Sequence, residues 1–191
     1  MRLKRVISVL LVIVLGAGVI FMLLTASLPK EDGKISLPGL GAAATVQSDV
    51  LGIPSILADN REDAFRLLGF LHARDRLFQM ELMRRKSNGR LAEIFGLKAV
   101  DLDRRQRDYQ FEQAAKNIVT ALPANQKPVL AAYVAGVNAF IDQANLLPPE
   151  FTALNFRPEP WRPEDSILVA LGMFQTLNLT VRSFFLVVRK V

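Results

Sequence analysis

The chain has 191 residues, of which 24 are Lys or Arg, 18 Asp or Glu, one His and none Cys. That length holds one ordinary domain or a segment of a larger one; without cysteine there is no disulfide, thiolate nucleophile or cysteine-linked lipid, and one histidine cannot complete the usual ligand set of a zinc site. The formal charge of +6 makes no case for nucleic acid as a partner, because the basic groups are interleaved with acids and lack the aromatic interleaving of a single-strand groove.

Much of the 51% hydrophobic content sits in residues 6–24, where Ser8 is the only polar side chain. A run of that length approaches the roughly 20 residues needed to cross a bilayer as a helix. It follows Arg2, Lys4 and Arg5, which hold the N-terminus in the cytoplasm and place what comes next outside. Residues 1–27 are therefore expected to be a transmembrane anchor, or a signal segment cleaved near Thr25-Ala26-Ser27. Either reading puts the rest of the chain on the periplasmic or extracellular side.

Residues 28–44, rich in Pro, Gly and small side chains, read as a spacer. A hairpin is expected next, from residues 45–50 and 55–58 joined through Leu51-Gly52-Ile53-Pro54. Asn60 is a good N-cap, with Glu62 and Asp63 favoured in a first helical turn. Phe65, Leu68 and Leu71 form one apolar stripe at helical spacing. Leu77, Met80 and Met83 form a second, which runs to Asn88-Gly89, a natural stop. Further helices are expected over residues 90–95, 103–122 and 124–145, the last with Leu130, Tyr133, Val134, Val137 and Ile141 inward and Pro148-Pro149 after it. Three prolines keep residues 157–163 from being helical throughout. Pro163 then suits the first turn of a final helix, with Glu164 and Asp165 at its N-terminus.

Little in this inventory carries chemistry. His72 lies on a helix and reads as structural. Residues 75–85 read as an amphipathic helix whose Arg and Glu pair at i, i+3 and i+4. Asp75 and Glu81 are six residues apart, on different faces, and do not make a glycosidase pair. No glycine-rich phosphate loop is present.

The order of segments nevertheless resembles a known family, the penicillin acylases, a group of N-terminal-nucleophile hydrolases. The resemblance lies in Asp49-Val50-Leu51-Gly52-Ile53-Pro54 and Asp63-Ala64-Phe65. It continues through Gly69-Phe70-Leu71-His72-Ala73-Arg74-Asp75-Arg76-Leu77-Phe78-Gln79-Met80-Glu81-Leu82-Met83-Arg84-Arg85 to Gly89-Arg90-Leu91-Ala92-Glu93-Ile94-Phe95-Gly96. Tyr133-Val134-Ala135-Gly136-Val137-Asn138-Ala139 and Pro158-Glu159-Pro160-Trp161 complete it, so that it covers residues 35–178. Each piece is weak alone; in this order and spacing they are specific.

The resemblance implies an α+β class: a mostly helical α-chain part, over residues 45–178, of a four-layer αββα fold. It implies a precursor that cuts itself into α and β chains and hydrolyses linear amides such as a penicillin, an acyl-homoserine lactone or another acylated amine. The nucleophile is then the N-terminal serine of the β chain, with its own α-amine, which titrates near about pH 8, as base. None of the serines here follows a glycine, as the family's processing site requires. No catalytic residue is therefore expected in this chain, which alone should be inert and whose partner is a β chain or downstream segment. Family α chains lend a methionine and a phenylalanine to the acyl pocket from the helix after Pro-Glu-Pro-Trp, and Met173 and Phe174 are the matching types, although adjacent here rather than a turn apart. Core packing is the plainer reading of that pair.

No cofactor is expected. Several members hold a structural calcium with an acid near the end of this region, but no Asp or Glu occurs after Asp165, so that ligand is not found here. Residues 179–191 are apolar and basic where the family continues polar and acidic, a divergent tail that suggests truncation or a frameshift. The alternative to a working acylase segment is a membrane-anchored, catalytically inert remnant or helical interaction module.

Overall fold

Two glycines decide how the central helices meet. In a computed structural model, which describes residues 2–26, 32–144 and 146–188, helix α2 (Arg61–Asn88) and helix α6 (Lys127–Gln143) pack backbone on backbone. A Cβ added at Gly69 would lie 2.1 Å from the Tyr133 carbonyl oxygen, and one at Gly136 would lie 1.9 Å from that of Arg66. No other residue type fits either contact.

Around this pair the elements follow in chain order. Helix α1 spans Arg2–Ala26. Strands β1 (Thr45–Ser48) and β2 (Pro54–Leu57) form an antiparallel hairpin in the register Thr45 to Leu57 and Ser48 to Pro54. Its turn is closed by the Asp49 carboxylate, which accepts from the Leu51 and Ile53 amides at 2.8 and 2.9 Å, while Gly52 takes a positive φ of 75° that favours glycine.

α2 begins where expected, with Asn60 accepting from the Asp63 amide at 2.8 Å. It ends on Gly89, whose left-handed conformation lets its amide reach the Lys86 carbonyl. Arg76 alone departs from helical geometry and kinks it. Then come α3 (Ala92–Phe95), a 3-10 turn over Gly96–Ala99, α4 (Val100–Arg107), α5 (Phe111–Ala121), α6, α7 (Pro149–Ala153) and α8 (Pro163–Val188). α8 packs on α2 and α5. The core joins Ala73 and Leu77 of α2, Val137 of α6, Phe151 of α7 and Trp161, with Phe78, Tyr133, Val134 and Ile141 at its edge. Burying a large apolar side chain such as Phe151 or Leu77 contributes about 1.5–3 kcal/mol.

The mostly helical chain with one small sheet agrees with the expected class. Three expectations need correction. The span over residues 103–122 is two helices, because Gln110 adopts φ 53° between them. Pro148-Pro149 does not only end a helix: Pro149 opens α7, in the first-turn position that needs no amide donor. The expected transmembrane helix is not borne out, since among the described residues no helix is long and apolar enough to cross a membrane. A helix does form at Arg2–Ala26, with Leu10, Leu11, Val12, Ile13, Val14 and Leu15 exposed, but the side chains of Val6, Ser8, Val9, Val19, Ile20, Leu23 and Leu24 are outside the described set, so no full apolar span is established there. Ser27, the spacer's residues 28–31 and the tail's residues 189–191 also lie outside the described residues. The tail's backbone up to Val188 continues α8.

Candidate functional site

The residues with expected function stand on α8, so the first question is what holds that helix. Its first turn carries Asp165, which is buried. The Arg84 guanidinium of α2 donates to Asp165 Oδ2 at 2.9 Å, to the Pro160 carbonyl at 3.2 Å and to the Glu159 carbonyl at 2.9 Å. It also lies over the Trp161 ring, 5.1 Å from the centroid. Asp165 in turn accepts from the Arg162 amide at 2.8 Å and from its guanidinium at 3.2 Å. One buried cation thus fastens the proline-rich loop and the start of α8 to α2.

The cation is itself balanced. Glu81, a turn before Arg84, is buried and accepts from Arg84 and from Arg85 Nε, each at 2.5 Å. Arg85 pairs onward with Glu93, and Arg90 bridges Glu93 and Glu159 at 2.7 and 2.6 Å. The Arg90 hydrogen bonds hold the Glu93 and Glu159 carboxyls below the usual carboxylate range, against a smaller opposing effect of desolvation. Those two hydrogen bonds also raise the Arg90 pKa. The expected i, i+3 and i+4 pairs therefore exist, but not on a solvated face: Arg84, Arg85 and Glu81 are interior. Low dielectric makes such a network costly to leave half-paired.

Trp161 is clamped from the other side. Its amide donates to Asn138 Oδ1 at 2.7 Å, its carbonyl accepts from Asn138 Nδ2 at 2.9 Å, and its indole donates to Ser166 Oγ at 3.0 Å.

With its start fixed, α8 presents two faces. Asp165, Leu168 and Gly172 are buried. Met173, Phe174 and Leu177 are 54%, 65% and 66% exposed. Leu177 is four residues from Met173 and three from Phe174, so the three share the exposed side of the helix. Met173 and Phe174 are thus adjacent in sequence and still on one surface, and core packing within the described fold does not account for them. Leu177 was not anticipated; the signal for it was present, an apolar residue one turn beyond the pair on the same helix.

No nucleophile with a base is assembled among the described residues. His72 Nδ1 lies 3.1 Å from the Tyr133 hydroxyl, and burial, partly opposed by Asp75, pushes its pKa below the ordinary histidine value. Ser166 Oγ is taken by Trp161, and Ser87 Oγ is buried and makes no hydrogen bond. Asp75 pairs with Arg74 while Glu81 faces inward, so the two acids do not cooperate. Among the described residues no three His, Cys, Asp or Glu side chains are placed to hold a metal ion.

Comparison with known proteins bears on this arrangement. The sequence profile of the family described as penicillin amidase matches residues 43–188. Over 146 residues the chain is 49% identical to penicillin acylase 2 proenzyme of Pseudomonas sp. (strain SE83), covering 76% of this chain and 19% of that protein. It is 35% identical over 156 residues to acyl-homoserine lactone acylase QuiP of Pseudomonas fluorescens (strain Pf0-1), covering 80% of this chain and 19% of that one. Against penicillin G acylase of Escherichia coli the identity is 34% over 146 residues, covering 72% and 17%. The chain thus spans about a fifth of the length of the curated relatives it matches. Among solved structures, a thermostable penicillin G acylase from Alcaligenes faecalis superposes with a TM-score of 0.63 at 27% identity, over 69% of this chain and 71% of that one.

Proposed function

Because the chain belongs to the penicillin amidase family, we propose that it is the α-chain part of an amide hydrolase that cleaves a linear amide and releases an acyl group from an acylated amine, of the penicillin or acyl-homoserine lactone kind. The observation that carries this reading is the exposed apolar face of α8. Met173, Phe174 and Leu177 stand on a helix whose start is locked by buried ionic bonds, which is the construction expected of one wall of an acyl pocket, an apolar surface on a rigid element.

The nucleophile comes from elsewhere than the described residues, in a companion segment that also supplies the remaining layers of an αββα fold. Support for this placement is that no serine–base pair occurs among the described residues, together with the fraction of its relatives' length that the chain spans. A serine with a free α-amine would suffice as nucleophile and base, since that amine titrates near about pH 8 and can take the hydroxyl proton.

The test is complementation. The chain is co-expressed with the segment of penicillin acylase 2 proenzyme that follows the matched region, and hydrolysis of a chromogenic acyl-anilide is followed. Turnover by the complemented protein and none by the chain alone is the expected result. Turnover by the chain alone would overturn the placement of the nucleophile, and none in the folded complex would overturn the amidase reading.

A further inference from the structure

Gly172 lies in the middle of α8, where glycine is the poorest choice after proline, and its neighbour explains it. A Cβ at position 172 would lie 2.2 Å from Ser87 Oγ, 3.5 Å from Ser87 Cβ and 4.0 Å from Met83 Cε. The α8 backbone therefore rests directly on the last turn of α2. Ser87 is 2% exposed and its hydroxyl makes no hydrogen bond among the described residues. A buried polar group without a partner is normally avoided; here the hydroxyl serves as a spacer between two helices.

Resting on the reading of α8 as an acyl-pocket wall, we propose that Gly172 and Ser87 are positioning residues that set how far Met173, Phe174 and Leu177 stand from α2, and so how long an acyl chain the pocket admits. The ionic bond at Asp165 fixes the start of the helix. Seven residues on, about 10 Å along the axis, the Ser87 contact fixes its depth. Phe174 and Leu177 are turned away from the contact and Met173 stands beside it, so anything that widens the contact moves the wall outward, into the space it borders. One methyl at 172 could be absorbed by rotating the unbonded hydroxyl; the three carbons of valine could not.

The experiment uses the complemented enzyme of the preceding section and a pair of acyl-anilides, one short and one long. Gly172→Val lowers the long-to-short ratio of kcat/KM about tenfold, the scale on which one methylene is discriminated in an apolar pocket, and does so through KM for the long substrate. Adding Ser87→Gly, which clears the space, restores the ratio; if Gly172→Val alone is too unstable to assay, recovery of activity and of the wild-type ratio in the double variant supports the assignment equally. An unchanged ratio in an active Gly172→Val enzyme, or no recovery in the double variant, overturns the positioning role and leaves the amidase reading standing. A wild-type complex without activity overturns both.

Discussion

The guanidinium of Arg84 and the carboxylate of Asp165, 81 residues apart in sequence, meet at 2.9 Å with both side chains buried. The bond joins the long central helix to the helix that carries the candidate pocket, and it is one member of a set in which Glu81 and Arg162 complete the charge balance. Removing one member of a buried ionic set strands the others, a loss of about 3–5 kcal/mol. Arg84→Met should therefore lower stability by that much, as read from the urea midpoint; a loss below about 1 kcal/mol, the scale of an exposed pair, would show that the network contributes little. Asp165→Asn keeps the shape and removes the charge, and should fall between the two.

The only tryptophan reports on the loop beside it. Trp161 is 3% exposed and its backbone is held at both ends by the Asn138 side chain. Asn138→Ala leaves a buried amide and carbonyl unpaired, at about 1–3 kcal/mol for each unsatisfied group. The expected outcome is a lower unfolding temperature with a red-shifted tryptophan emission already in the native state, as the loop loosens and water reaches the ring. Unchanged emission together with unchanged stability would mean that the proline-rich segment is held by Arg84 alone.

How much of this could be read from the sequence depended on the range of the cause. Asn60 and Gly89 bound α2 through contacts within one turn, and both ends of that helix were legible. Three prolines told where no helix could run between α7 and α8. The break at Gln110 was not legible, because Asp108-Tyr109-Gln110 holds neither glycine nor proline and the positive φ falls on a residue with no turn signal of its own. The charges at 81, 84 and 85 gave a correct pairing and a wrong environment, since their burial depends on Asp165 and on a loop some 75 residues away. Met173 and Phe174 were singled out by resemblance, whereas the exposed face they share with Leu177 and the contact beneath Gly172 needed three dimensions.

Acid should loosen the junction where the chain enters α2. Asp63 accepts from the amides of Gly41 and Ala42 and from Asn60 Nδ2, at 3.0, 3.3 and 2.7 Å. The Gly41 amide does most to hold its carboxyl below the ordinary aspartate value; desolvation opposes it, and Asn60, Ala42 and Arg66 add to the lowering. Since the folded chain then binds a proton less readily than the unfolded one, Asp63 stabilises the fold fully above the ordinary aspartate range, and that stabilisation is lost as pH falls through the lower folded-state value. Glu93 and Glu159, held down by Arg90, have the same sign. Unfolding temperature should be level around neutrality and drop below about pH 4, and Asp63→Asn should shallow that drop while lowering the plateau. A variant whose acid slope matches the parent's would remove Asp63 from the account.

The contact between α2 and α6 makes the strictest demand on residue type. At Gly172 the opposing atom is a hydroxyl that can turn, but at Gly69 and Gly136 it is a backbone carbonyl of the facing helix, 2.1 and 1.9 Å from where a Cβ would be. Nothing there can rotate away, so a single methyl must push the helices apart and open the core at Ala73, Leu77 and Val137. Glycine to alanine inside a helix would otherwise gain about 1 kcal/mol, whereas overpacking of this kind costs about 1–3 kcal/mol or more. The sign of the change is therefore diagnostic: Gly69→Ala and Gly136→Ala should each destabilise, and because both act by separating the same two helices, the double variant should lose less than the two losses added together. Strict additivity would show that each glycine answers to a local constraint and not to one shared spacing.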